Sequence, residues 1–167
     1  MYNQKQGEKN MSKDITIIED SVKLNFRTAM LIYHKGNVLL HKAKDEDFWN
    51  MPGGRVQFGE DSLSAVKREM QEELDVKIDN AKFVGFFENF FVYAGIKYQE
   101  LLTVYSCELP DCELTKKQDF VALDNHNMEY HWHKKEDVKN LKCLPQIIYG
   151  IVDKKDENIV HDITKND

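Results

Sequence analysis

Glu69, Glu72 and Glu73 recur at spacings of three and four residues. On a helix that spacing puts all three carboxylates on one face. Like charges this close repel by about 0.2–0.5 kcal/mol per pair, a cost that divalent cations would remove. An oxygen-only donor set of this density suits Mg2+ or Mn2+ rather than zinc. Alone, the three glutamates read more readily as a solvated charged face. What sets them apart is their spacing from Gly54, Glu60 and Arg68. Arg68, one residue before Glu69, can reach Glu60 or Glu69 as a bidentate partner and orient a ligand. Gly53 and Gly54 let a loop approach metals closely, with the Gly53 backbone carbonyl as a possible further ligand.

The elements that must carry these residues follow from periodicity. Leu63, Val66, Met70 and Leu74 form one apolar helical stripe, and Asp61 precedes it as an N-cap. Residues 22–33 and 38–41 read as strands joined by a turn at His34-Lys35-Gly36-Asn37. An acidic loop, Asp45 to Asp47, leads into Pro52-Gly53-Gly54, which reads as a tight connection. Residues 82–93 and 97–109 read as strands meeting at Ala94-Gly95, with a further short strand at 130–133. A short helix or turn is expected at 135–141, and a last helix over 145–152 with Pro145 in its first turn. This order implies an α/β domain, a mixed sheet sandwiched between helices. It is expected to span residues 15–153, between a polar tail (1–14) and a charge-rich one (154–167).

Composition narrows the functional classes. The chain has 167 residues, 41% hydrophobic and 31% charged, and no apolar run long enough to span a bilayer. Its 23 basic and 29 acidic residues leave a net charge of −6, which argues against a broad electrostatic grip on nucleic acid. Metal ions could still bridge a small anionic substrate to the carboxylates. Cys107, Cys112 and Cys143 are sparse and unpaired in pattern, as expected in a reducing compartment. A zinc site with His131 and His133 lacks the paired knuckles such sites use. The N-terminus carries no apolar signal region, so a cytoplasmic location is expected.

The segment from Gly54 resembles the Nudix box, G-x5-E-x7-R-E-U-x-E-E-x-G-U, where U is a bulky apolar residue. Gly54, Glu60, Arg68, Glu69, Met70, Glu72, Glu73 and Val76 all match. Six matches to specified Gly, Glu and Arg residues would arise by chance in well under about one in a thousand chains this long. Phe48-Trp49, Pro52-Gly53-Gly54, Trp132 and Pro145 add to the resemblance, which runs over about residues 26–152. One position departs: Asp75 stands where the family has its last glycine, after the helix. Asp is among the few residues that tolerate the left-handed conformation used there.

The resemblance, to MutT-like Nudix hydrolases, implies a pyrophosphohydrolase for a nucleoside diphosphate linked to another group. Nucleoside triphosphates, nucleotide sugars, ADP-ribose and dinucleoside polyphosphates all fit that description. It implies catalysis by Glu69, Glu72 and Glu73 with Arg68 and Glu60, on bound Mg2+ or Mn2+. One glutamate, Glu69 or one from a loop, would take the proton from water. A further metal-binding carboxylate from outside the box would be Glu129 or Glu100. Phe48, Trp49, Gly54 and Arg55 are the candidates for holding substrate. A non-catalytic, nucleotide-sensing module with the same fold is the alternative, and a homodimer is left open.

Overall fold

Residues 22 to 34 form a strand longer than any neighbour on one of its edges, and the architecture is arranged along it. The computed structural model describes residues 14–154 and 158–166. This strand, β2 (Val22–His34), pairs along one edge with three others in succession. They are β1 (Thr16–Glu19), β4 (Gly53–Arg55) and β3 (Asn37–Ala43), all antiparallel. Its other edge runs parallel to β6 (Ile96–Glu108), which pairs antiparallel with β5 (Lys82–Tyr93) across a turn at Ala94 and Gly95. Both turn residues have positive φ, 49° and 78°, the geometry that matches the twist of the flanking strands.

Beyond β3 lie β8 (Met128–Lys134) and then β7 (Asp119–Val121). At the far side β9 (Val160–Lys165) lies parallel to β5. The sheet order is therefore β7-β8-β3-β2-β6-β5-β9.

Alternation along β2 splits the core into two layers. Met30 and Ile32 face α1 (Ser62–Leu74), packing with Leu39, Tyr105 and Tyr130 against its Val66, Met70 and Leu74. Ala29 and Leu31 face the other way, with Val38, Leu40, Leu102 and Val104. They pack against Ile148 and Ile151 of α2 (Ile148–Ile151) and Val138 of a 3-10 turn, Lys135–Asn140. Val66 and Met70 are fully buried, each contributing about 1.5–3 kcal/mol by leaving water. This is the expected sandwich of a mixed sheet between helices.

Several local expectations change. Gly53 and Gly54, read with Pro52 as a tight connection, form a three-residue strand with Arg55, because their backbone finds partners at Arg27 to Ala29. The last helix is only four residues long and starts after Pro145 rather than on it. Residues 160–165, placed in the charged C-terminal tail, add a strand to the sheet. Expectations for residues 1–13 lie outside the described residues.

Candidate active site

Helix α1 is fixed at its start by two contacts. Asp61 accepts a hydrogen bond from the Ser64 N–H at 2.9 Å, a cap worth about 1 kcal/mol. Thr28 of β2 donates to the Ser62 carbonyl at 3.1 Å. At its end Asp75 takes the left-handed conformation (φ 54°, ψ 40°), its N–H bonding the Gln71 carbonyl. The helix thus runs its full length with the carboxylate row intact.

Within that row Arg68 is the hub. Its Nε and Nη2 donate to the two carboxylate oxygens of Glu60 at 2.9 and 3.0 Å. Nη1 reaches Glu69 at 2.7 Å and Glu72 at 3.0 Å, and Nη2 also meets the Arg55 carbonyl at 3.1 Å. The fork holds the Glu60 carboxyl below its ordinary range, and these carboxylates in turn raise the Arg68 pKa. Arg68 therefore joins loop, helix and three carboxylates through one planar group.

The three glutamates are not equivalent. Glu72 is exposed. Glu69 is largely buried, and desolvation raises its pKa against the opposing pull of Arg68. Glu73 is more deeply placed, and burial pushes its carboxyl up to about 7, with the Glu69 charge adding to the shift. Its Oε2 accepts a hydrogen bond from the Tyr130 hydroxyl at 2.6 Å, and that hydroxyl lies 3.2 Å from His41 Nδ1.

The glycines before the helix have separate reasons. Gly53 has φ 147°, and a Cβ there would come within 2.7 Å of the Ala29 Cα. A Cβ on Gly54 would overlap the carboxylate of Glu69. The chain at Gly54 is thus a cradle for that carboxylate.

The other expected residues fall elsewhere. Glu100 lies on the sheet face away from α1, almost fully buried. There its carboxylate accepts from Asn89 Nδ2 at 2.9 Å and lies 3.8 Å from Arg27. Glu129 alternates with Tyr130 on β8 and so also points away from α1. Neither joins the helix carboxylates. Trp49 is half-buried, edge-on to His131 and His133 at 4.9 and 4.5 Å, with Lys42 Nζ 5.1 Å over its ring. Phe48 is half-buried beside it, and Arg55 is exposed with its guanidinium 3.4 Å from Asp14.

Three residues of this neighbourhood escaped the sequence reading: His41, Tyr130 and Arg27. His41 and Tyr130 sit directly opposite each other in the β3–β8 pairing, 89 positions apart in the chain. Arg27 pulls the pKa of both Glu69 and Glu73 downward. No spacing rule marks single residues on separate strands.

A hard divalent cation fits this donor set. Its carboxylate oxygens are hard donors, Glu69 lies against Gly54, and Glu73 is a desolvated carboxylate. Among the described residues, no three His, Cys, Asp or Glu side chains already converge on one point. The Arg68 guanidinium bridges Glu69 and Glu72 through Nη1.

The chain matches the NUDIX domain over residues 24–154. It belongs to the NUDIX family. An RNA pyrophosphohydrolase from Ruthia magnifica subsp. Calyptogena magnifica is 39% identical over 51 residues, 30% of this chain and 28% of that protein. Among solved structures, a MutT protein from Bacillus halodurans superposes with a TM-score of 0.66 at 21% identity. That match covers 84% of this chain and 89% of the other. The dihydroneopterin triphosphate pyrophosphohydrolase of E. coli gives 0.54 at 20% identity, covering 70% and 85%. These similarities show the NUDIX fold. Among the described residues, no helix is long and apolar enough to cross a membrane.

Proposed function

We propose that this NUDIX protein is a metal-dependent pyrophosphohydrolase acting on a nucleoside diphosphate linked to a further group. The observation that carries the reading is the row of Glu69, Glu72 and Glu73 on α1, with Arg68 holding the first two and Glu69 lying against Gly54.

Glu69, Glu72 and Glu73, with the Gly53 carbonyl, would hold Mg2+ or Mn2+. When bound, the cation supplies charge neutralisation for the diphosphate and makes the attacking water more acidic. The remaining work falls to the chain. Arg68 and Glu60 keep Glu69 and Glu72 in place through the paired hydrogen bonds described above. Glu69, its carboxyl raised by burial against the pull of Arg68, is the group that would accept the proton of the attacking water. Phe48 and Trp49 precede the glycine loop by four to five positions in the chain and would offer apolar surface to the nucleoside. Trp49 is held edge-on by two histidines, so it would meet a ligand as a rigid plate.

The test is turnover of a panel with Mg2+ or Mn2+ and with EDTA, products identified. The panel includes a nucleoside triphosphate, a nucleotide sugar, ADP-ribose, a dinucleoside polyphosphate and a 5′-triphosphorylated RNA. The last follows from the 51-residue likeness to an RNA pyrophosphohydrolase. Cleavage of a phosphoanhydride bond that EDTA abolishes supports the proposal. Binding of these ligands without any turnover would instead make the protein a nucleotide sensor.

A further inference from the structure

The hydroxyl of Tyr130 is buried in the layer between α1 and the sheet. Its ring is fully buried and stacks on Phe120, centroids 5.3 Å apart and nearly parallel at 7°. A buried hydroxyl must find partners or cost stability. Here its partners are one carboxylate of the candidate site and one histidine.

The direction of the chain follows from counting protons. A phenol has one proton to give and lone pairs with which to accept. A phenol keeps that proton at neutral pH. At 2.6 Å from an ionised Glu73, Tyr130 donates to Oε2. Its oxygen can then only accept from His41, 3.2 Å away, so the proton of a neutral His41 sits on Nδ1. Burial holds His41 neutral. The backbone of Glu73 is tied to the same side of the molecule, its carbonyl accepting from the Leu123 N–H at 2.9 Å in the loop that joins β7 to β8.

We infer that His41 and Tyr130 are positioning residues for Glu73, a buried hydrogen-bond chain that occupies Oε2 and leaves Oε1 aimed for a divalent cation. The sheet register sets the chain's length, because His41 and Tyr130 are directly paired across β3 and β8. Groups that bond to metal ligands in this way commonly change metal affinity 10- to 100-fold when removed. The inference rests on the reading of Glu73 as a metal ligand.

The experiment titrates metal-free protein with Mn2+ alone, free Mn2+ being read by electron paramagnetic resonance. Tyr130→Phe is expected to raise the Mn2+ dissociation constant by about 10- to 100-fold. Phe120→Leu loosens the same packing without touching the hydroxyl; it should lower the melting temperature and leave Mn2+ affinity unchanged. His41→Asn, whose amide can donate from a similar position, should retain affinity within a few-fold, while His41→Leu should not. Unchanged affinity in Tyr130→Phe overturns the inference. Glu73→Gln separates the two levels. If it binds Mn2+ as tightly as the unaltered protein, the metal-site reading fails, and the inference with it. If it binds weakly while Tyr130→Phe does not, only the positioning chain is overturned. Should Tyr130→Phe not fold, imidazole 15N shifts of the unaltered protein decide. A proton on His41 Nδ1, with shifts that respond to Mg2+, supports the chain, and a proton on Nε2 overturns it.

Discussion

Arg68 grips Glu60 side-on, through two parallel hydrogen bonds of 2.9 and 3.0 Å across eight residues of chain. That fork ties the loop before α1 to the helix and leaves the third guanidinium nitrogen for Glu69 and Glu72. Lysine offers a point charge and no fork. Arg68→Lys is therefore expected to lose about 1.5–3 kcal/mol in denaturant melts, and to lower turnover by more than Glu60→Gln does. An Arg68→Lys protein of full stability and activity would contradict the hub role.

Glu72→Gln and Glu73→Gln should each lose activity by about 10- to 1000-fold at saturating Mg2+ while remaining folded. They should differ in stability. Glu72 is exposed, so its amide should leave the melting temperature nearly unchanged. Removing the charge of the buried Glu73 should stabilise the metal-free protein at pH 8. Near-normal turnover in either variant would refute the metal-site assignment.

The pH dependence of stability contains two opposed groups. Glu73 sits at about 7 in the fold against an ordinary 4.5, so its contribution is complete below pH 4.5 and is lost as pH rises through 7. His41 sits at about 3 against an ordinary 6.5, so its contribution is present above pH 6.5 and is lost as pH falls toward 3. Between pH 4.5 and 6.5 the two oppose each other, and above 6.5 Glu73 acts alone of this pair. In EDTA the protein should lose roughly 1 kcal/mol between pH 6.5 and 8, a decline that Glu73→Gln removes. Denaturant midpoints across that window provide the measurement.

Adjacent glycines should fail differently. A Cβ at Gly54 meets the end of a flexible side chain, so Gly54→Ala should fold while pushing Glu69 aside. Misplacement of about 1 Å can cost on the order of 100-fold in rate. At Gly53 the obstacle is the backbone of Thr28 and Ala29, and φ is 147°. Gly53→Ala should therefore damage folding itself, lowering the melting temperature far more than Gly54→Ala does.

Asp75 carries two terms of opposite sign. Its left-handed backbone is strained for a residue with a side chain, yet Gln71 Nε2 donates to its carboxylate at 2.6 Å. Asp75→Gly relieves the strain but forfeits that bond and loosens the unfolded chain, so the net change should stay within about 0.5 kcal/mol. Asp75→Ala loses the bond and keeps the strain, and should be about 1 kcal/mol less stable than the glycine variant. Mg2+ affinity should not change in either. Weaker Mg2+ binding would make Asp75 part of the site.

The sequence by itself determined α1 and its chemistry, because everything involved is local. The apolar stripe, the Asp61 cap, the Asp75 terminus and the Arg68–Glu60–Glu69 spacing all lie within about four turns of one helix, where periodicity translates directly into geometry. The long strands were legible for the same reason. Tertiary structure alone decided what depends on pairing across the chain. It made a strand of Gly53–Arg55 by giving its backbone the edge of β2. It drew Val160–Lys165 from an expected tail onto the edge of β5. It turned Glu100 and Glu129 away from α1, since strand alternation assigns a face only once the register is set. It also brought His41 and Tyr130 to Glu73, three residues on three elements with no spacing in common. A helix face is written in consecutive residues, whereas a sheet's neighbours are chosen by hydrogen bonding between distant ones.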